Sequence, residues 1–448
     1  MKYFIETYGC QMNVHDSERM AGLLEQAGYE ATPEPREADV VVINTCSVRE
    51  RAEEKLYTRL DEIRQASDET GRMPVVAVAG CVAQQEAGAI LKRSDIVDVI
   101  IGTQSLKQLP ALVRRAAADP EGPPRIDVNA SEDVSFPLGV ARRHDPVKAY
   151  VTIIEGCNEF CSFCVVPYTR GNERMRPRRD ILEEVVRAAG EGHREVQLLG
   201  QIVNHYQAPD DASCDFAALL EAVHEVPGVE RVRFASPHPR HVPMRLIEAV
   251  RDLPKVCKHF HLPVQSGSTR ILSAMRRRYT RESYLELVAL LREMVPGITL
   301  TTDMIVGFPG ETDADFDETM SLTRAVRYES MYSFKYSARP NTLALKRHPD
   351  DVSEEDKTQR IVALQALQRE IQLEMHEAEV GSTVDVLVDS VSRRRDWEVS
   401  GRTFGNTVVN LPGPREWLGR TVPVRITRAG AYSLAGEAVH LDTVCVEA

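Results

Sequence analysis

Three thiols stand within eight residues, at Cys157, Cys161 and Cys164, spaced Cys-x3-Cys-x2-Cys behind the apolar run Tyr150-Val151-Thr152-Ile153-Ile154. No fourth Cys or His follows at short range. A closed structural zinc site needs four protein ligands, and a cluster kept only for electron transfer usually has four thiolates. Three thiolates leave one metal position open, where a small molecule can be chelated and given an electron. A zinc loop completed by a distant His, or a packed group of thiols, is the competing reading of the same residues.

Three further cysteines repeat the theme at long range. Cys10, Cys46 and Cys81 lie 36 and 35 residues apart, about one strand–helix unit each. Each follows a strand-like run: Lys2–Tyr8, Asp39–Thr45 and Pro74–Gly80, with a fourth run at Val97–Ile101. Asp16 or Ser17 can cap a helix to about Gln26, and a charged helix is expected from Arg49 to about Gln65. Near-continuous apolar strands alternating with helices predict a parallel sheet covered on both faces. Ligands of such sheets gather outside the carboxyl ends of the strands, where all three cysteines fall. They are expected to converge as a second three-thiolate site, the alternative being three independent buried thiols. Cys214, Cys257 and Cys445 have no partners at ligand spacing and read as ordinary thiols. His238, His259 and His261 read as core or site-lining groups rather than metal ligands.

The elements that must position these thiols follow from the rest of the chain. At 448 residues two or three domains are expected. No apolar run approaches the ~20 residues a membrane helix needs, and the start reads as a strand rather than a signal peptide, so a cytoplasmic protein is expected. An odd cysteine count of nine argues for reduced, ligand-bearing thiols. A net charge of −12 excludes a generally basic nucleic-acid binder but not a local groove. Arg170, Arg174, Arg176, Arg178 and Arg179, and the run Arg276-Arg277-Arg278, are either solvated faces or such a groove. Residues from about Asp119 to Asp145 read as a linker. Behind it, strands are predicted at Ala149–Ile154, Glu195–Leu199, Arg231–Ala235, His259–Val264, Ile298–Val306 and Met331–Tyr336, nearly all followed by helices. Six such units predict an incomplete barrel, laterally open, with its site at the strand carboxyl ends. A long helix over Glu354–Glu377 precedes five short strands between Thr383 and Glu437, which predict a small barrel of the oligonucleotide-binding type.

The cysteine loop resembles that of the radical S-adenosylmethionine (SAM) superfamily. Tyr8-Gly9-Cys10-Gln11-Met12-Asn13, Asn44-Thr45-Cys46 and Gly80-Cys81 resemble the motifs of the methylthiotransferase family within it. Gln11-Met12-Asn13 and Val165-Val166-Pro167-Tyr168-Thr169-Arg170-Gly171 resemble its tRNA branch; Ile202 and Met175 depart from the usual pattern. The resemblance implies an α/β multidomain chain: a cluster-binding domain over 1–118, a partial (β/α)6 radical SAM core over 143–376 and a TRAM RNA-binding barrel over 378–446. It implies two 4Fe-4S clusters, on Cys10, Cys46 and Cys81 and on Cys157, Cys161 and Cys164. SAM contacts are expected at Gly200, Gln201, Ser236, Gln265 and Ser266. RNA contacts are expected at Arg393, Arg394, Arg395, Arg402, Phe404 and Asn406. The implied activity is methylthiolation at C2 of an N6-dimethylallylated adenosine at position 37 of tRNA. The implied partners are the anticodon loop, SAM and a one-electron donor such as a flavodoxin or ferredoxin, acting with a monomer. Other readings are a methylthiotransferase for threonylcarbamoyl-adenosine or a ribosomal-protein aspartate, and a non-catalytic iron–sulfur RNA-binding redox sensor.

Overall fold

The computed structural model describes residues 1–47, 50–129, 139–392, 395 and 397–439. Strands β1 (Lys2–Tyr8), β2 (Glu30–Ala31), β3 (Val40–Thr45), β4 (Val75–Gly80), β5 (Val99–Ile101) and β6 (Arg125–Asp127) form one sheet in the order β2-β1-β3-β4-β5-β6. Every pair is parallel. All six residues of β3 are buried because helices cover both faces. Met20, Leu24, Leu109 and Val113 pack on Val40, Val42 and Ala77. Leu56, Leu60 and Ile90 pack on Val41, Ile43, Val76 and Val78. The edge strands β2 and β6 lie outside the four strands expected, and β6 falls within the expected linker. Both are very short and carry charged residues, so backbone pairing rather than an apolar pattern defines them.

The middle of the chain contributes β7 (Lys148–Thr152), a small hairpin of β8 (Ile154–Glu155) with β9 (Arg174–Met175), then β10 (Glu195–Leu199), β11 (Arg231–Phe234), β12 (His259–His261), β13 (Thr299–Val306) and β14 (Ser330–Lys335). β11-β10-β7 and β12-β13-β14 are two parallel three-stranded sheets, linked by the bridge Val232 to Val256. Together they make the open six-stranded barrel, with β7 and β14 at its edges. Alternate side chains take opposite faces. Val196, Leu198, Val232 and Phe234 join Val185, Leu219, Ile247 and Leu291 of the covering helices. Glu195, Arg233, Thr301 and Asp303 take the inner face, where Arg233 Nε donates to Glu195 Oε2 at 2.9 Å.

β15 (Thr383–Val391), β16 (Glu398–Arg402), β17 (Val408–Pro412), β18 (Thr421–Ala429) and β19 (Leu434–Ala438) close into a second barrel, in the order β15-β16-β17-β19-β18. Val386, Val388, Val399, Leu411, Val424 and Ile426 fill it. This barrel docks on the amino ends of the large barrel's strands. Arg231 donates to the carbonyls of Arg402 (2.5 Å) and Asp385 (3.2 Å), and Arg233 to those of Thr403 (2.6 Å) and Phe404 (3.1 Å). Lys148 pairs with Asp389 at 2.6 Å.

The helix Glu354–Ala378 joins the two barrels. Its buried face is more polar than the expected stripe of Ile361, Leu364, Leu367, Ile371 and Met375: Lys357, Arg360, Gln368, Gln372 and His376 are buried with Leu364 and Ile371. His376 shows why. Its Nε2 meets Glu329 Oε1 at 3.1 Å and its Nδ1 meets the Gly430 carbonyl at 2.6 Å. Two acceptors on two ring nitrogens call for the doubly protonated imidazolium. Burial alone would lower the pKa, but the hydrogen bonds to Glu329 and Gly430 prevail and hold it above 6.5. A raised folded-state value stabilises the fold fully below the ordinary value, and that contribution is lost as pH rises through the folded one. The melting midpoint of the wild type is therefore expected to fall between about pH 6 and pH 8 by more than that of His376→Gln. Parallel pH profiles for the two proteins would count against the charged link.

Candidate active site

In the first sheet, Tyr8 pairs with Thr45 and Thr45 with Gly80. The adjacent strands β1, β3 and β4 thus end level with one another, and Cys10, Cys46 and Cys81 follow at once. Gly80 has φ +91°, and a Cβ there would collide with Asn44 Oδ1 and the Thr45 carbonyl. The turn into Cys81 therefore requires glycine. Cys10 is the N-cap of the helix Gln11–Gln26, and Cys81 opens the helix Cys81–Glu86. Cys46 hydrogen-bonds to both other thiols. That sharing lowers the pKa of Cys10 and of Cys81, helped by the nearby Arg170 charge, and raises that of Cys46. Thiolate character is therefore favoured at Cys10 and Cys81 and disfavoured at Cys46. A buried amide lattice supports the trio: Asn13 Nδ2 donates to Asn44 Oδ1 at 3.1 Å, and Asn44 Nδ2 donates to the Asn13 carbonyl at 2.8 Å and to Ser17 Oγ at 2.9 Å.

The second trio sits on the loop between β8 and β9. Gly156 has φ +81°, and a Cβ would strike the Asn172 carbonyl, so glycine permits the close return of the loop. Cys157 N donates to the Gly171 carbonyl at 3.1 Å, and Cys164 N to that of Cys161 at 3.0 Å. Arg277 Nη1 reaches Cys161 Sγ at 3.3 Å. Burial pushes the Cys157 thiol up to about 11 and the Cys164 thiol up to about 12. A bound cation would have to offset that penalty. Around the loop, Glu159 Oε1 meets His241 Nε2 at 2.7 Å and Glu173 Oε2 meets His205 Nδ1 at 2.7 Å. The two imidazoles stack with centroids 4.6 Å apart. This His–carboxylate brace was not read from the sequence, and Arg277, expected on a solvated face or in a groove, is instead buried against the loop. The run Arg276-Arg277-Arg278 was the one signal for Arg277, and no pattern in the sequence marks the two histidines and their carboxylates.

The residues expected to meet SAM lie at the carboxyl ends of β10, β11 and β12. Ser236 and Gln265 have φ of +60° and +76°. Gln265 N donates to the Asp303 carbonyl at 2.9 Å. Gln265 and Ser266 are buried. Gly200 packs on Ile154, and the buried Gln201 Oε1 has no partner. His238 Nε2 is likewise buried without a partner, on a loop held by Asn204.

The expected RNA contacts are scattered. Arg395 pairs with Glu398 at 2.8 Å and lies over the Trp397 ring. Arg402 donates to the Asn406 carbonyl at 3.1 Å. Phe404 packs under Arg231 in the seam between the barrels, 4.4 Å from centroid to guanidinium. Arg393, Arg394 and Cys445 lie outside the described residues.

The two cysteine sites meet through Arg170. Its guanidinium donates to Asp16 Oδ2 at 2.7 Å, and its charge acts on Cys10 and Cys81. Its carbonyl accepts from Gln104 Nε2 at 2.8 Å, and the next residue, Gly171, receives Cys157 N. Arg19 pairs with Glu155 at 2.8 Å beside it, and Arg176 with Glu184 at 2.7 Å. The arginine cluster after the cysteines is thus partly internal. Arg178 and Arg179 donate backbone N–H groups to Asp210 at the surface.

The description "Uncharacterized protein family UPF0004" matches residues 2–102, "Radical SAM superfamily" residues 151–323 and "TRAM domain" residues 377–439. The tRNA-2-methylthio-N(6)-dimethylallyladenosine synthase of Thiobacillus denitrificans is 46% identical, covering 99% of both chains. That of an Acidovorax species is 45% identical, covering 98% of this chain and 97% of the relative. The chain belongs to the tRNA-2-methylthio-N(6)-dimethylallyladenosine synthase family. The radical SAM methyltransferase TsrM of Kitasatospora setae, solved with tryptophan and a SAM analogue, has a TM-score of 0.56 at 14% identity, covering 86% of this chain and 78% of that one. The cobalamin-dependent SAM radical enzyme OxsB has a TM-score of 0.51 at 12% identity, covering 83% of this chain and 62% of that one. These two likenesses establish the fold of this synthase-family chain.

Soft thiolate donors, three to a site, suit iron–sulfur centres. Among the described residues no three His, Cys, Asp or Glu donors form a site for a single metal ion. A cubane spreads its ligands over separate corners, so this does not conflict with cluster binding. Arg170→Gln would leave Asp16 buried without its nearest cation. A loss of about 3–5 kcal/mol in unfolding free energy is expected, as for other broken buried pairs. The double variant with Asp16→Asn should recover part of it in urea titrations. No recovery would show that the pair does not join the two domains.

Proposed function

We propose that this chain methylthiolates C2 of N6-dimethylallyladenosine at position 37 of tRNA. The observation that carries the reading is the joining of two cysteine trios through one segment: Arg170 reaches toward Cys10 and Cys81 while Gly171 holds Cys157. The relatives' name supplies the substrate. An enzyme that only cleaved SAM would need one trio.

Cys157, Cys161 and Cys164 would hold one 4Fe-4S cluster, and Cys10, Cys46 and Cys81 a second. When bound, these clusters and SAM supply a carbon radical able to break the unactivated C2–H bond, together with the sulfur and methyl group to be inserted. The protein's part is to hold and orient. Gly200, Gln201, Ser236, Gln265 and Ser266 line the place for SAM at the strand carboxyl ends. Arg277 donates to Cys161, and the stacked His205 and His241 hold Glu173 and Glu159 of the same loop, which orients the loop.

The units 1–118, 143–376 and 378–446 act as sulfur-site domain, radical core and RNA-side barrel. A splayed anticodon-loop adenosine enters the open barrel, the usual mode for single-stranded RNA. A flavodoxin or ferredoxin class protein delivers the electron to a cytoplasmic monomer. No helix among the described residues is long and apolar enough to cross a membrane.

Anaerobically reconstituted protein should bind about eight irons, falling to about four in Cys157→Ala/Cys161→Ala/Cys164→Ala. An unchanged iron content would sink the two-cluster reading. Cys10→Ala is expected to keep cleaving SAM to 5′-deoxyadenosine while forming no methylthio product; full product formation would remove the sulfur-site role. Nucleosides from a deletion strain should retain dimethylallyladenosine and lose its methylthio form by mass spectrometry.

A further inference from the structure

A cavity of about 540 Å³ lies between the barrel's edge strand β14, the helix Glu354–Ala378 and the docked small barrel. Tyr332, Tyr432, Gln368, Arg369, Arg402 and Asn406 are on its wall. Five aromatic side chains are exposed among the described residues: Phe160, Tyr168, Tyr332, Trp397 and Tyr432. Two of them, Tyr332 (57% exposed) and Tyr432 (71% exposed), face this one cavity although they come from different domains. Exposed rings of this kind are the platforms on which unpaired bases stack.

Gln368 adds an independent sign. It is 6% exposed, and its Nε2 donates to the Tyr328 carbonyl at 2.8 Å, but its Oε1 is buried with no partner. A buried acceptor left unmade is costly, so this oxygen calls for a donor from outside the chain, such as an exocyclic amine or a 2′-hydroxyl. Glu329 is the one carboxylate among the described wall residues, and Thr407 and His376 already donate to it. Arg402 also pairs with Asp389 at 3.6 Å, so Arg369 carries most of the positive charge the cavity offers on a chain whose net charge is −12. Tyr332 also pairs in register with Asp303 on the inner face of the barrel, and its ring lies 6.1 Å from that of His261. The cavity therefore opens beside the barrel interior.

We propose that this cavity binds one unpaired ribonucleotide of the loop that carries the target adenosine. Its base stacks on Tyr332, its amine or 2′-hydroxyl donates to Gln368 Oε1, and its phosphate lies toward Arg369 and Arg402. The inference rests on the tRNA reading above and adds the place where a neighbouring nucleotide is gripped. The small barrel then acts as one wall of a composite site, with Tyr432 as its contribution.

The test uses the full-length reconstituted protein and an anticodon stem-loop RNA at fixed salt, followed by fluorescence anisotropy. Tyr332→Ala should weaken binding about tenfold to a hundredfold, and Tyr332→Phe should bind within about twofold of wild type, since stacking needs the ring and not the hydroxyl. Gln368→Leu should weaken binding less. With 2-aminopurine placed at each loop position in turn, one position should be quenched by wild type and not by Tyr332→Ala. Tyr332 is exposed, so an unchanged melting midpoint of Tyr332→Ala is the accompanying expectation. Unchanged affinity and an unchanged quenching pattern in Tyr332→Ala would overturn the assignment. The two readings fail separately. Wild-type protein that grips the loop through Tyr332 yet forms no methylthio product removes the proposed reaction and supports the cavity. Normal product formation with an unaltered KM in Tyr332→Ala removes the cavity and leaves the reaction.

Discussion

The ion pair of Arg170 with Asp16 is the contact on which the geometry of both cysteine sites depends. Both side chains are buried, at 2.7 Å, where an uncompensated charge would be severely penalised. Arg19 and Glu155 stand beside them as a second buried pair with the opposite polarity across the same interface. Acid and base thus alternate across the boundary between the sheet domain and the barrel. A sliding or tilting of one domain on the other would place like charges together. Such a boundary adds little to stability over an apolar one, but it admits one register. A site assembled from cysteines of two domains needs that single register more than it needs additional stability.

The convergence of Cys10, Cys46 and Cys81 was legible in the sequence because these residues sit at ends of regular elements. Parallel strands of similar length, spaced by one helix each, bring their carboxyl ends level, and three cysteines at those ends must then converge. The Tyr8–Thr45–Gly80 register is the realised form of that inference. The barrel strands were legible for the same reason. What was not legible were contacts made by loops and by polar faces. β2 and β6 exist through backbone pairing alone. The stacked His205 and His241 come from two different strand-end loops, and no local pattern announces their meeting. The helix Glu354–Ala378 shows the limit of periodicity reading: its buried face is polar because its neighbours offer carbonyls and carboxylates, among them Glu311, Asp350 and Glu329, which only the fold can show.

The arginines carry a related lesson. A run of basic residues reads as a solvated face or a nucleic-acid groove, and here neither description covers all of them. Arg277 is buried against Cys161 and the Pro263 carbonyl. Arg170 and Arg176 are buried against carboxylates, and Arg231 and Arg233 against main-chain carbonyls. Guanidinium suits these places because its fixed fork of donors can satisfy several acceptors at once without losing its charge. The acidic balance of the chain is then less surprising. Arg19, Arg170, Arg231 and Arg233 serve internally as connectors between domains.

The docking of the small barrel follows from the same use of arginine. Arg231 and Arg233 bind the carbonyls of Asp385, Arg402, Thr403 and Phe404, and Thr299 Oγ1 donates to that of Gly405 at 2.7 Å. These bonds recognise the path of the loop rather than its side chains. The loop's main chain therefore does much to fix the position of the small barrel, joined by the side-chain pairs Lys148–Asp389 and Thr407–Glu329. A barrel held by its own recognition side chains would have to give up docking to gain binding. Held largely through its backbone, it brings Tyr432 and Arg402 to the wall of the same cavity as Tyr332, so that one surface is made by two domains.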